Sequence, residues 1–302
     1  MNSPWAFEKE EMHLSSGARV PVLAIISPAK SLKSSAELAK LRPHLLATRP
    51  AFLSNADVLA ALVSKLKKAD ISTIMEISSS LAEGVVQMFG KYKANADAKD
   101  GYQAALLYNG PAYVGLSFET LDKGECEKAQ KCLRFLSGLY GLLKPGDAIQ
   151  PYRLEMSISP KSIGLDGPKS LAEHWASSVT SEINAQIGDD SAGSILLNIA
   201  SDEYSKAINQ KALNKNIKII SVRFEDGGKV KSAYAKKARG MMARYVCCSS
   251  TETNTISIDE LKKFDLEGYA FNSRKSASDN SLLVFERGDG QGGGAKKKQK
   301  KT

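Results

Sequence analysis

Val20-Pro21-Val22-Leu23-Ala24-Ile25-Ile26, running into Ser27-Pro28-Ala29-Lys30, is the stretch on which the fold turns. An apolar run this short, closed by Ser-Pro, predicts a strand buried on both faces. It also places Lys30 just beyond a strand end. A second such run at residues 194–200 leads into Ser201-Asp202-Glu203, which predicts a strand-to-helix junction with the helix continuing through Ala207 and Ile208. Ligand sites of α/β sheets form beyond such strand ends.

Working outward, Val58, Leu62 and Leu66 recur every four residues and predict a helix over 55–68, with further helices over 71–77 and 81–91. Residues 102–107 and 112–116 read as short extended runs around the turn Asn109-Gly110-Pro111, and 119–135 as a helix. Leu171, Trp175, Val179, Ile183 and Ile187 form one drifting apolar stripe, a long amphipathic helix that Gly188 stops. Asp226-Gly227-Gly228 predicts a hairpin between 217–224 and 229–233, and 269–271 with 282–285 a last antiparallel pair. Helices and strands alternate early and hairpins come late, so the class is mixed α/β (α+β), a mixed sheet flanked by helices. We divide the chain into an N-terminal extension (1–19), a main globular domain (20–287) and a lysine-rich tail (288–302) with no apolar periodicity to offset the entropy of ordering it.

Composition narrows the function. With 42% hydrophobic and 25% charged residues the chain suits a packed core. The apolar runs are far too short to span a bilayer, and residues 1–11 carry acids and no apolar h-region, so a cytosolic protein without membrane attachment is expected. The four cysteines lack CxxC spacing, and His13, His44 and His174 are scattered. We therefore expect reduced thiols, no metal and no cofactor. The formal charge is +9. The tail holds five lysines and one aspartate, which leaves +5 on the rest, a surplus that favours anionic partners. The lysine cluster reads equally as a solubilising terminus or as a phosphate-binding arm or nuclear import signal.

Three constellations could carry chemistry. On a helical projection of 236–246, Ala238, Met241, Met242, Tyr245 and Val246 share one side, with Lys236, Lys237 and Arg244 opposite and Arg239 at the flank. That cationic face could meet phosphates, although on most helices it is the solvated face. Arg153 and Glu155, two apart in an extended segment, leave the same side and could form an ion pair or share a pocket with Lys30, Glu203 and Lys236, the carboxylates serving as general acid or base if the protein is an enzyme. The glycines of 136–147, Gly138 and Gly141, followed by Lys144, resemble a helix-hairpin-helix that offers backbone N–H groups to a DNA phosphate, although their spacing departs from the usual Gly-x-Gly.

Taken together, Ile26-Ser27-Pro28-Ala29-Lys30-Ser31-Leu32, residues 136–143, Gln150-Pro151-Tyr152-Arg153-Leu154-Glu155-Met156, Asn198-Ile199-Ala200-Ser201-Asp202-Glu203-Tyr204 and Tyr234-Ala235-Lys236-Lys237-Ala238-Arg239-Gly240 resemble the YaaA peroxide-stress family. The resemblance covers roughly residues 22–285, including Glu267-Gly268-Tyr269-Ala270-Phe271. It implies a cytosolic protein induced by hydrogen peroxide that limits free iron and oxidative damage. It also implies DNA binding through a helix-hairpin-helix (Gly138, Gly141, Lys144) and a cationic cleft with Lys236, Lys237 and Arg239. Two classes of activity follow as expectations: a non-enzymatic DNA-binding stress protein, or an enzyme on nucleotides or nucleobases in DNA, such as a glycosidase-like hydrolase using Glu155 and Glu203.

Overall fold

The computed structural model describes residues 14–188 and 193–288. The lysines of the tail, and the first thirteen residues of the extension, lie outside the described residues. Helices α1–α4 (Ser35–Leu38, Leu53–Val63, Lys68–Ile74 and Ser79–Gly90) follow the first two strands, β1 (Val20–Ile26) and β2 (Ser31–Leu32). Then come β3 (Tyr102–Gln103), α5 (Ala104–Leu107), β4 (Tyr108–Asn109), α6 (Pro111–Leu116), α7 (Lys123–Cys132), β5 (Leu133–Ser137), β6 (Gly141–Leu143) and β7 (Ala148–Ile149). The last part runs α8 (Leu171–Ile187), β8 (Ser194–Asn198), α9 (Asp202–Ser205), β9 (Ile217–Asp226), α10 (Ser232–Ser249), β10 (Thr255–Ile256), α11 (Ile258–Leu261), β11 (Ala270–Phe271) and β12 (Leu282–Arg287).

The main sheet has eight strands in the order β11-β12-β9-β8-β1-β5-β6, with β10 pairing on β1. β5, β1, β8, β9 and β12 are parallel to one another, while β6, β10 and β11 pair antiparallel, so the mixed sheet flanked by helices is as expected. β1 and β8 are interior strands because both faces of each are apolar: Val22 to Ile26 are all buried, as is the whole of β8. Chain order matters more than strand count. The chain leaves β1 for β5 on one side, and leaves the adjacent β8 for β9 on the other. The C-terminal ends of β1 and β8 therefore flank a topological switch point, where successive connections diverge and open a crevice.

The long helix α8 starts at Ser170, whose side chain accepts from the Glu173 N–H, and stops at Gly188 with φ +77, as the stripe predicted. Its residues Leu171, Trp175, Val179 and Ile183 are buried. Ile187 is only partly so.

Several local expectations fail for identifiable reasons. Residues 136–147 form no helix-hairpin-helix: Leu133–Ser137 is a buried strand paired with β1, and Gly141–Leu143 returns antiparallel to it as a β-hairpin. A helix-hairpin-helix presents free amides to phosphate. Here the Tyr140, Leu142 and Lys144 N–H groups donate to Ser137 Oγ, the Tyr140 carbonyl and Asp147 Oδ2. Glycine punctuation marks both motifs equally, and the sheet partner decides between them. For the same reason the predicted 119–135 helix yields its last residues to β5. The runs expected as extended at 102–107 and 112–116 are largely the short helices α5 and α6. Beyond Asp226, only an Asp226–Lys229 bridge remains of the expected hairpin before α10 begins.

Candidate functional site

The crevice between β1 and β8 is closed at its base by two serines. Ser27 Oγ accepts from the Ser201 N–H at 2.9 Å and lies 3.2 Å from Ser201 Oγ, so the two strand ends are tied side by side. Tyr113 of α6 donates to the Ser27 carbonyl at 3.2 Å. Above them runs the extended segment 151–156. It is held by a buried hydroxyl chain, in which Tyr152 OH lies 2.7 Å from Tyr108 OH and 2.6 Å from Ser137 Oγ.

Gly138 sets how closely that segment can approach. A Cβ built there would lie 2.2 Å from the Leu154 carbonyl oxygen, so only glycine lets the hairpin turn pack directly on the Leu154–Glu155 backbone. The Gly138 carbonyl accepts from Trp175 Nε1 at 2.9 Å, and Gly141, with φ +68, rests on the same indole.

The segment so placed delivers Glu155 to the floor of a narrow cleft lined by Pro28, Lys30, Tyr152, Arg153, Glu155 and Tyr204. The cleft is tight, with an accessible volume of about 10 Å³, the room of a single water molecule. Glu155 is 5% exposed. Its Oε1 meets Arg153 Nε at 3.0 Å and Lys30 Nζ at 3.4 Å, whereas its Oε2, equally buried, has no hydrogen-bond partner. A buried oxygen left without a donor costs about 1–3 kcal/mol, which a ligand N–H or O–H would recover. Lys30, whose side chain is 59% exposed, spans from that floor to the surface. On the α9 side Ser157 Oγ donates to Glu203 Oε1 at 3.1 Å. Burial, together with the neighbouring Tyr152 phenol and the carboxylates of Glu203 and Glu155, pushes the Tyr204 phenol far above its usual range, so Tyr204 is a neutral hydroxyl between two acids.

Helix α10 brings a further cation. It crosses α6 with almost no separation, because Gly115 faces the Lys237 carbonyl and Gly240 faces the Ala112 carbonyl, leaving no room for a Cβ on either. Ala238, Met241, Met242 and Val246 are buried as the projection predicted, and Tyr245 is half-buried. Burial lowers the half-buried Arg239 guanidinium, while the Asp202 carboxylate at the start of α9 supports its charge. Lys236 is exposed.

The family model described as peroxide stress protein YaaA matches residues 22–275. The chain belongs to the YaaA peroxide stress protein family. It is 38% identical over 272 residues to a UPF0246 protein of Idiomarina loihiensis, covering 89% of this chain and 99% of that one. A UPF0246 protein of Shewanella oneidensis is 38% identical over 269 residues (88% and 99%), and one of Ralstonia nicotianae 39% over 272 (88% and 99%). Of the site residues that the family resemblance and the sequence singled out, Lys30, Arg153 and Glu155 form one ion-paired cluster. Glu203 sits beside Tyr204 on its rim, and Arg239 is next to Asp202. Others are directed elsewhere. Lys237 is ion-paired to Glu267, in a network with the buried pair Arg287–Asp226 and Tyr269 at the end of β9 and β12. Lys144 follows β6 where that strand has run back from the hairpin. Gly138 and Gly141 act by close packing. Tyr204, Ser27 and Ser201 are given no role by the sequence, and their signals there are their position just after the two buried strands and their place in the motifs of the family resemblance.

Among the described residues no helix is long and apolar enough to cross a membrane, and no three His, Cys, Asp or Glu side chains are grouped so as to hold a metal ion.

Proposed function

We propose that this protein binds DNA in the hydrogen-peroxide response, holding phosphates along the edge where β1 and β8 end and admitting one base toward Glu155. What carries this reading is the Lys30–Glu155–Arg153 cluster with its unpartnered, buried Glu155 Oε2. Phosphates are met by cations, for which the exposed Lys30 and Lys236 and the half-buried Arg239 are placed on neighbouring elements. A carboxylate oxygen accepts from the amino or imino N–H of a nucleobase, which reaches this one only when the base is taken out of the stack and the cleft, closed to all but about one water, opens to admit it. In the cytosol, such binding would limit oxidative damage to DNA, with any lowering of free iron following indirectly from it.

The same oxygen supports a second reading, hydrolysis of the N-glycosidic bond. Glu155 would take a proton from water as the water oxygen bonds to C1′. The C1′–N bond breaks, and its electron pair leaves with the base, which is then protonated from Glu203 or solvent.

Fluorescence anisotropy on a chain ending at Arg287, with duplex and bubbled oligonucleotides across a salt series, tests the first reading. Lys236→Ala with Arg239→Ala should weaken binding and reduce the log–log salt slope by about 0.9 for each phosphate no longer neutralised. Glu155→Gln should leave binding unchanged or tighter. Unaltered affinity and slope in the double variant would refute the phosphate role. Release of free base by the wild type, abolished in Glu155→Gln, would favour the enzyme reading.

A further inference from the structure

The four cysteines, which show no motif spacing, lie on just two helices that pack together: Cys126 and Cys132 on α7, Cys247 and Cys248 on α10. Cys132 is the last residue of α7 and Cys247 lies near the end of α10. Their Sγ atoms are 3.8 Å apart although 115 residues separate them in sequence. Both are fully buried.

The pair is asymmetric. The hydrogen bond between the two sulfurs, helped by the nearby Arg134 guanidinium, outweighs burial and holds the Cys132 thiol below its usual range. That hydrogen bond and burial push the Cys247 thiol well up. The Arg134 guanidinium, which acts on Cys132 and favours its thiolate, makes Cys132 the attacking thiol, with Cys247 lying against it. A disulfide needs an S–S distance of about 2.05 Å, so the sulfurs must close by roughly 1.8 Å, within reach of side-chain rotation and a small shift of the seam.

We propose that hydrogen peroxide oxidises Cys132 and Cys247 to a disulfide joining α7 to α10. The Cys132 thiolate attacks one peroxide oxygen, the O–O bond breaks, and the departing hydroxide takes up a proton as water, leaving a sulfenic acid. Cys247 gives up its proton and its sulfur attacks that of Cys132. The S–S bond forms, the S–O bond breaks, and a second water leaves. Two thiols lose two electrons and two protons, and one peroxide becomes two waters. With the resolving sulfur already alongside, the sulfenic acid is captured before it oxidises further. Because neither sulfur is exposed, oxidation waits on local opening of the α7–α10 seam and is slower than that of a free surface thiol. This proposal is independent of the DNA reading.

The test treats the folded full-length chain with hydrogen peroxide, blocks remaining thiols and maps peptides without reduction. Thiols titratable after denaturation should fall from the four of the sequence to two. The tryptic fragment beginning at Cys132 should appear cross-linked, two hydrogens lighter, to the fragment beginning at Tyr245. Because the latter holds Cys247 and Cys248, the cross-link should persist in Cys248→Ser and Cys126→Ser and vanish in Cys247→Ser and Cys132→Ser, each variant being checked for native circular dichroism. If a serine variant misfolds, fragmentation of the wild-type cross-linked peptide between Cys247 and Cys248 makes the assignment. The proposal is overturned by a cross-link on Cys248, by sulfinic acid at Cys132 in place of the cross-link, or by a cross-link that forms only in denaturant.

Discussion

Gly138→Ala separates two accounts of the same glycine. If Gly138 served a phosphate-binding hairpin, a methyl group there would touch DNA affinity and little else. In the structure the new Cβ would sit 2.2 Å from the Leu154 carbonyl oxygen and 3.0 Å from its carbon, whereas real Cβ atoms essentially never approach a neighbour within 3.0 Å. The hairpin and the Leu154–Glu155 backbone must therefore part by about 0.8 Å or more. Both are backbone, buried and held by neighbours on every side, so the strain has no flexible side chain to absorb it. Overpacking of this kind costs about 1–3 kcal/mol, and Gly138 has no positive φ that alanine would strain further. The loss of unfolded-state entropy on adding a methyl returns about 0.4–1 kcal/mol, which leaves a net loss of roughly 1–2 kcal/mol. For a chain of this size that is a fall in Tm of about 2–3 °C. Thermal melting followed by circular dichroism measures it. The Gly138 carbonyl also holds Trp175 Nε1, so the emission of that buried indole should change as the turn moves. A melting point within 1 °C of wild type, with unchanged tryptophan emission, would falsify the packing account.

Two further outcomes follow from the placement of charges. Lys237→Ala and Lys144→Ala should leave DNA affinity within about twofold, because Lys237 is committed to Glu267 and Lys144 lies away from the crevice. Lys237→Ala should cost no more than about 0.5 kcal/mol in urea unfolding, since that pair is solvent-screened. A loss of affinity matching that of Lys236→Ala would show that the whole basic face of α10 meets DNA. Burial holds the His174 imidazole below its ordinary value of 6.5. Between that lowered value and 6.5 the unfolded chain binds the proton and the folded chain does not. The stability from this group is therefore complete above 6.5 and is lost as pH falls through 6.5 toward the folded value. Urea midpoints from pH 7.5 to 5.5 should drop less in His174→Gln than in wild type, and parallel profiles would contradict this.

The sequence alone determined those features whose cause is local. The buried strands β1 and β8 were legible because an uninterrupted apolar run of that length is stable only with both faces covered. Helix α8 was legible from its stripe and its stop at Gly188, and the inner face of α10 from its helical spacing. Lys30, Arg153 and Glu155 were named together because strand ends and alternating extended residues expose their side chains in known directions. Tertiary structure decided everything that rests on what a residue meets. Glycines at 138 and 141 are compatible with a turn between helices or between strands, and only pairing of Leu133–Ser137 with β1 makes them a β-hairpin. Lys236 and Lys237 are adjacent in sequence and equivalent in composition. The crossing of Gly115 and Gly240 fixes how α10 is rolled, and so commits Lys237 to Glu267. Cys132 and Cys247 show no motif because 115 residues separate the two thiols that the fold brings together. The orphaned oxygen of Glu155 is likewise a property of a fold, since whether a carboxylate lacks a donor depends on every group packed around it and none of those neighbours is fixed by its own place in the chain.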